Sequence, residues 1–355
     1  MIEFPRDVRV TQVSDEGPTP SFFIRFRDPI MHLTRNWNYL RSDSIDADSQ
    51  VGSAAIIVMQ RAYSLWSRRL FDRAKAAGIP VIYETDDFFL DLPSQSGFRI
   101  TDQQKECVVH MLKSADAVTC STQELAEALR TYSNCVYVLE NYAVPLSRAG
   151  IESARRKQYS VGVVNTDYFK LIRGKQELFQ AFQGALATLS CHLTFFGSID
   201  PQMAALQKAS PDQVTVFASF IPRRTAFWEY ILSQGINAGV VPLEDNPDHR
   251  FKSDIKFLDF AQVGAPAVYN NPRCYNRVIH RETGYMCDGT REGWLSGLAY
   301  FADETRRIAC GDAAYRYAQG RTLDAYAEGL KEVIMMVLCR RGMPLPVAAT
   351  AVATR

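Results

Sequence analysis

Apolar runs such as Ala54–Met59 and Val333–Leu338 fall far short of the ~20 residues that a membrane-spanning helix needs. The first residues, Met1-Ile2-Glu3-Phe4-Pro5-Arg6-Asp7, lack the basic segment and apolar stretch of a secretion signal. A cytoplasmic location is therefore expected, one that leaves room for peripheral work at the inner face of a membrane. Neither charge is in excess: Lys+Arg number 40 against 39 Asp+Glu, so wholesale nucleic-acid binding gets no electrostatic support. The cysteines Cys107, Cys120, Cys135, Cys191, Cys274, Cys287, Cys310 and Cys339 form no C-x-x-C pair, and read as reduced, buried small hydrophobes. His32, His110, His192, His249 and His280 lack the helical spacing of a metal-ligand pair. No G-x-S-x-G, Walker loop or G-x-G-x-x-G is present, which argues against hydrolases, nucleoside triphosphatases and standard dinucleotide enzymes. Internal repeats and low-complexity segments are missing too.

What is present is a 355-residue chain, 47% apolar, in which short β-rich runs alternate with helical patterns. That length favours two domains, and that alternation favours βαβ units feeding parallel sheets. In the first half, strands are expected at Ala54–Met59, Pro80–Glu84, Ala117–Cys120 and Val136–Leu139, with helices at Leu65–Ala77 and Lys105–Lys113. The pattern breaks after Asn141 into a polar, basic stretch ending at Arg155-Arg156-Lys157, where an interdomain linker is expected. The second half repeats the rhythm with strands near Val161–Val164, Leu193–Phe196, Val214–Phe217, Ala238–Val241 and Ala267–Tyr269. Helical patterns there fall at Glu177–Ala187, Ala226–Ser233 and Ile255–Val263, and Ala302–Arg340 is helical with an interruption at Gly320.

Open parallel sheets bind ligands beyond the carboxyl ends of their strands, so four segments draw interest. Glu84, Asp86 and Asp87 follow a buried strand. Clustered acids of this kind suit a metal, sugar hydroxyls or a general base, and equally a solvated, capped turn. Lys170 and Arg173 lie with Lys175 between a strand and a helix, where cations suit a diphosphate or simply face solvent. Ser253, Lys256 and Asp259 recur every three residues on one predicted helix face stopped by Gly264 and Pro266. The first two fit phosphate and the third a ribose diol, against the alternative of a helix cap and a surface ion pair. Asn271 and Tyr275 belong to Asn270–Tyr275, where amide groups and Arg273 suit the same ligand, or where Asn-Asn-Pro simply forms a turn.

The order of these motifs resembles the GT-B glycosyltransferases of the group-1, retaining kind, particularly bacterial enzymes that build surface polysaccharides or glycosylate bacterial products. Phe23-Ile24-Arg25-Phe26-Arg27-Asp28-Pro29 is similar to the family's opening segment, and Ser114–Thr122 and Glu140-Asn141-Tyr142 are similar to later ones. The most specific likeness is Ser253–Pro266, which resembles the family's donor-site helix. The resemblance implies two Rossmann-like α/β domains facing across a cleft. An acceptor-side domain would span 1–145, a nucleotide-sugar domain 156–321, and a helix near 322–340 would pack back on the first. It also implies transfer of a sugar from a nucleotide-diphosphate donor to a glycan, protein or lipid-linked acceptor, with retention and with neither metal nor cofactor.

In the same terms, Ser253 and Lys256 sit where the phosphates lie, Asp259 takes the place of the ribose-holding Glu, and the loop carrying Phe220 meets the nucleobase. Lys256 with Arg173 or Lys170 would stabilise the departing diphosphate. Asp86, Asp87 and Glu84 would orient acceptor or sugar hydroxyls. Two positions depart from the family's pattern: Phe251 stands where a first, sugar-orienting Glu is expected, and Asp259 is one carbon shorter than Glu. A nucleotide-sugar epimerase of the same fold and a non-catalytic binding homologue are the alternatives.

Overall fold

Strands that are buried on both faces must be covered by helices, and the alternation of the two along this chain produces two parallel-sheet units. The computed structural model describes residues 4, 8–91, 100–155, 158–164, 175–197, 200–218, 223–243 and 249–340. One unit comprises Met1–Glu140 with Leu323–Arg355, the other Asn141–Thr322. No helix among the described residues is long and apolar enough to cross a membrane. None of the cysteines is in a disulfide.

Among the described residues, unit 1 is built on β1 (Val10–Ser14), β2 (Trp37–Arg41), β3 (Ile56–Gln60), β4 (Val81–Thr85), β5 (Ala117–Cys120) and β6 (Val136–Val138). All pairings are parallel, in the order β2-β1-β3-β4-β5-β6. The connecting helices begin where side chains can satisfy free backbone N–H groups. Ser64 caps Leu65–Ala76, Thr101 and Gln104 form a capping box on Asp102–Ser114, and Thr122 caps Gln123–Leu129. The C-terminal helix Leu323–Arg340 packs on helix Asp28–Leu33, and the Tyr326 hydroxyl donates to the Arg25 carbonyl at 2.8 Å.

One register line of this sheet is polar from edge to edge: Arg41, Ser14, Gln60, Glu84, Thr119 and Tyr137 are successive partners across the strands. Arg25 meets the line from a π-helical stretch, Phe23–Arg27, a widened turn of the sort that often marks special sites. Its guanidinium donates to Glu84 at 2.8 Å and to the Leu139 carbonyl at 2.5 Å, while Gln60 donates to the Ser21 carbonyl at 3.1 Å. A buried polar group needs a partner because no solvent replaces its hydration, and Arg25 and the Ser21 carbonyl supply partners for Glu84 and Gln60.

Unit 2 repeats the plan with β7 (Ser160–Val164), β8 (His192–Phe196), β9 (Val214–Phe217), β10 (Ala238–Val241), β11 (Ala267–Tyr269) and β12 (Tyr285–Met286), in the order β12-β11-β10-β7-β8-β9. Helix Ile255–Ala261 sits hard against β10. A Cβ on Gly239 would fall 2.4 Å from the Phe260 ring, so only glycine lets the helix approach this closely. The chain then turns at Gly264, whose φ of 62° lies in the left-handed region.

The polar stretch expected to link the two halves is instead a helix of unit 2, Arg148–Arg155, with Ile151 and Ala154 in the core. Its charges face protein partners: Arg155 donates to the Gly264 carbonyl at 3.2 Å and to Asp312 at 2.9 Å, and Arg148 to Asp312 at 2.7 Å. Polarity there marks ion pairs between elements of one unit, which a composition-based reading takes for solvent exposure.

Candidate functional site

In unit 1 the chain runs from β1 to β2 on one side and returns to β3 on the other, so a crevice opens at the carboxyl ends of β1 and β3. The residues that follow those strands are Asp15 and Glu16 after β1, Arg61 after β3, and Asp86 and Asp87 after β4. Asp15 is consumed in building the edge. It accepts from the Tyr63 and Ser64 N–H groups at 2.6 and 2.7 Å and from the Ser67 hydroxyl at 2.6 Å, which fixes the start of helix Leu65–Ala76.

Arg61 organises the remaining acids. Its guanidinium donates to Glu16 at 2.9 Å, Asp86 at 2.5 Å and Asp87 at 2.8 Å, and lies over the Phe89 ring at 4.9 Å. Its φ of 49° is uncommon for a residue with a side chain, and the ion pairs hold it there. Burial opposes its charge, but Asp86, Asp87 and Glu16 outweigh this and keep it firmly protonated. Three carboxylates around one guanidinium leave the crevice net negative. Burial pushes the Glu16 carboxyl above its ordinary range in spite of Arg61. Asp86 also accepts from the Ser21 hydroxyl at 2.5 Å.

Glu84 corrects the sequence reading. It belongs to β4, is 2% exposed, and forms its ion pair with Arg25 below the crevice, so it does not join Asp86 and Asp87 at the edge. Burial raises its carboxyl from the usual range and the Arg25 charge only partly reverses that. No group of three His, Cys, Asp or Glu side chains among the described residues is arranged to hold a metal.

In unit 2 the corresponding crevice lies at the carboxyl ends of β7 and β10, since β8 and β10 flank β7. Lys170, Arg173 and Phe220 lie outside the described residues. Helix Ile255–Ala261 begins after Asp254, which makes no side-chain cap, and spans only 7 residues. Ser253 therefore precedes the helix and does not share its face. Its hydroxyl accepts from the Asn141 amide at 2.8 Å, and its carbonyl accepts from the Cys274 thiol at 3.2 Å. Lys256 and Asp259 do share a face. The Lys256 ammonium donates to one oxygen of Asp259 at 2.9 Å and keeps 25% of its side chain exposed.

Asp259 is enclosed. Its other oxygen accepts from Arg224 Nε at 2.9 Å, with Arg224 Nη2 at 2.8 Å, and the residue is 3% exposed. Burial pushes its carboxyl up, but the Lys256 and Arg224 charges and hydrogen bonds overcome this and hold it below the usual range. The carboxylate assigned to a ribose diol thus has both oxygens engaged by cations. Arg224 also donates to the Tyr142 carbonyl at 2.7 Å. The sequence reading passed over Arg224, although one signal was present. Arg224 opens helix Arg224–Ser233, where the helix dipole disfavours a cation unless a carboxylate is near.

Asn271 and Tyr275 serve the turn itself instead of a ligand surface. The Asn271 side chain accepts from the Cys274 N–H at 2.9 Å, and the buried Tyr275 ring packs on Tyr269 at 4.7 Å. Phe251, in the position where an acid is expected, has Arg250 over its ring at 4.3 Å. At the carboxyl ends of β8 and β9 the Phe196 and Phe217 rings stack at 5.5 Å, with Phe227 and Tyr230 edge-on to Phe196.

No family model matches the sequence, and no curated protein matches it. Solved structures do match the fold. HepE (Alr3699) of Anabaena, in complex with UDP and glucose, superposes with a TM-score of 0.64 at 11% identity, covering 92% of this chain and 99% of that one. Sucrose-phosphate synthase of Thermosynechococcus elongatus gives 0.64 at 12% identity, over 94% and 100%. A glycosyltransferase of Rickettsia africae gives 0.65 at 9% identity, over 94% and 99%. At such identities the likeness is one of architecture, and the chain has the GT-B fold, two Rossmann-like units each with its own crevice.

Proposed function

We propose that the protein is a glycosyltransferase in which unit 2 holds a nucleoside-diphosphate sugar and unit 1 presents acids to an acceptor. The observation that carries this reading is the cationic group at the unit 2 crevice. Lys256 and Arg224 around a single carboxylate leave a net positive charge with an accessible ammonium at its tip. A diphosphate is the natural counter-charge. HepE, of the same fold, binds UDP and glucose, which supports a nucleoside-diphosphate sugar as the donor class.

In this reading Lys256 faces the diphosphate and stabilises the charge that grows as the sugar departs. Lys170 and Arg173 are assigned to the same anion and Phe220 to the nucleobase, as the resemblance implies. Retention and independence of metal belong to the proposal, the departing diphosphate itself assisting deprotonation of the acceptor. Asp86 and Asp87, steadied by Arg61 and Ser21, accept hydrogen bonds from hydroxyls of a glycan, protein or lipid-linked acceptor. Glu84 acts from below by fixing Arg25 and with it the π-helical stretch.

Calorimetry with UDP, GDP, dTDP and ADP, followed by hydrolysis of the matching nucleotide sugars, tests the reading. Binding of one diphosphate with slow release of its sugar is expected. Binding of none would reject it. Phe251 and the enclosed Asp259 favour one alternative, a nucleotide-sugar-binding homologue without catalysis. Tight donor binding with no hydrolysis or transfer would identify that case. Isomerisation of the donor sugar without any acceptor would mark an epimerase.

A further inference from the structure

The way the Lys256 charge is held carries an inference of its own, one that rests on the reading of unit 2 as a diphosphate site. Lysine is a flexible point charge, and its ammonium gains little from an anion unless something fixes its direction. Here the Asp259 carboxylate fixes it, at 2.9 Å. A carboxylate alone would also cancel the lysine's charge toward a diphosphate. Arg224, 8% exposed and bonded at 2.9 Å to the other oxygen of Asp259, offsets that cancellation. Arg224 is itself anchored by the Tyr142 carbonyl at 2.7 Å and by the Tyr142 ring, 5.9 Å from its guanidinium.

The geometry points to Arg224 and Asp259 as a positioning pair for Lys256: a cation–carboxylate–cation chain, buried at the arginine end and open at the lysine end, that aims a net positive charge at the donor diphosphate. Arg224 touches no donor atom in this arrangement. It acts through Asp259, in whose absence two neighbouring cations would repel each other. In the absence of Arg224 the lysine would be neutralised by its own tether.

The test is UDP binding by calorimetry, with uridine as a phosphate-free probe, on the full chain. The variants are Arg224→Gln, Arg224→Lys, Lys256→Ala and the double variant Arg224→Gln with Lys256→Ala. Arg224→Gln is expected to weaken UDP by about 10-fold while uridine changes by less than about twofold, as for loss of a charge-assisted phosphate contact. Arg224→Lys is expected to recover part of the UDP affinity. Lys256→Ala is expected to cost about 10-fold in the native background and less than about threefold in the Arg224→Gln background, the signature of coupled residues.

Equal cost in both backgrounds would overturn the pairing. So would a parallel fall in uridine, which indicates general damage to the unit. If Arg224→Gln does not unfold cooperatively, Arg224→Met, which also removes the guanidinium charge, takes its place in the same comparison, with the same outcomes deciding. If the unsubstituted protein binds none of UDP, GDP, dTDP and ADP, the donor reading itself fails and this inference falls with it.

Discussion

Gly311, in the middle of helix Glu304–Gln319, faces the carbonyl of Gly264 so closely that a Cβ on Gly311 would lie 2.2 Å from that oxygen. The obstacle is backbone, not a movable side chain. Gly264 in turn follows helix Ile255–Ala261, so helix Glu304–Gln319 presses on the turn that ends the Lys256 helix. Gly311→Ala is therefore expected to destabilise unit 2 by about 1–3 kcal/mol or more through overpacking. Chemical denaturation measures it, with Gly17→Ala, which has nothing within 4 Å, as the silent control.

Lys256→Ala is expected to weaken nucleoside-diphosphate binding by about 1.5 kcal/mol, close to 10-fold and in keeping with a hydrogen bond to a charged group. Arg224 still pairs with Asp259 in this variant, so the fold should be retained with the thermal midpoint lowered by only a few degrees. An unchanged diphosphate affinity would remove Lys256 from the donor site.

The pH dependence of stability carries the mark of Asp259. Its carboxyl is held below the ordinary 3.8 because Lys256 and Arg224 outweigh its burial. A depressed acid contributes stability that is present above 3.8 and is lost as pH falls through its folded-state value. Asp259→Ala should cost about 3–5 kcal/mol at neutral pH by leaving its buried partner unpaired. That cost should shrink below pH 4, which denaturation at neutral and acid pH would show.

Glu16 behaves with the opposite sign. Burial raises its carboxyl above the ordinary 4.5, so the folded state prefers the protonated form. Its contribution is present below 4.5 and is lost as pH rises through the raised value. Glu16→Gln, which mimics the protonated group and can still accept from Arg61, should be stabilising at neutral pH and near neutral in effect at pH 4. A stability loss at neutral pH would show that the pairing with Arg61 outweighs burial.

Chelation offers a further check on the proposed chemistry. With the diphosphate met by cations, EDTA is expected to leave donor hydrolysis and transfer within about twofold, since no Lewis acid is asked to stabilise the leaving group. Loss of activity on chelation and its recovery with a divalent cation would assign that role to a metal.

Most of the strand framework was legible in the chain because parallel strands buried on both faces are apolar runs. Ala117–Cys120, Ala238–Val241 and Ala267–Tyr269 fall where such runs predict them, and the half-buried edge strand Val214–Phe217 also falls where it is expected. β1 and β2 escaped that reading for the reason that makes unit 1 unusual. Gln12 and Ser14 interrupt the apolar run of β1, and β2 pairs with it through Trp37-Asn38-Tyr39-Leu40-Arg41. The shared face of Lys256 and Asp259 was legible from helical spacing. That Asp259 would be closed off by Arg224 was not, because the two come from elements far apart in sequence. Likewise Glu84 read as one of three surface acids until Arg25, 59 positions away, took it inward.

The polar line across unit 1 has a consequence for how its strands find their places. Side chains alternate along a strand, so a slip of one residue by β4 would carry Glu84 away from Arg25 and bring Tyr83 or Thr85 into the line. Such a misaligned sheet leaves a charge buried without its counter-charge, an error of about 3–5 kcal/mol, whereas an all-apolar line would forgive it. The line thus works as an alignment key for the sheet, confining β3, β4 and β5 to the single register that sets Arg61, Asp86 and Asp87 side by side at the edge.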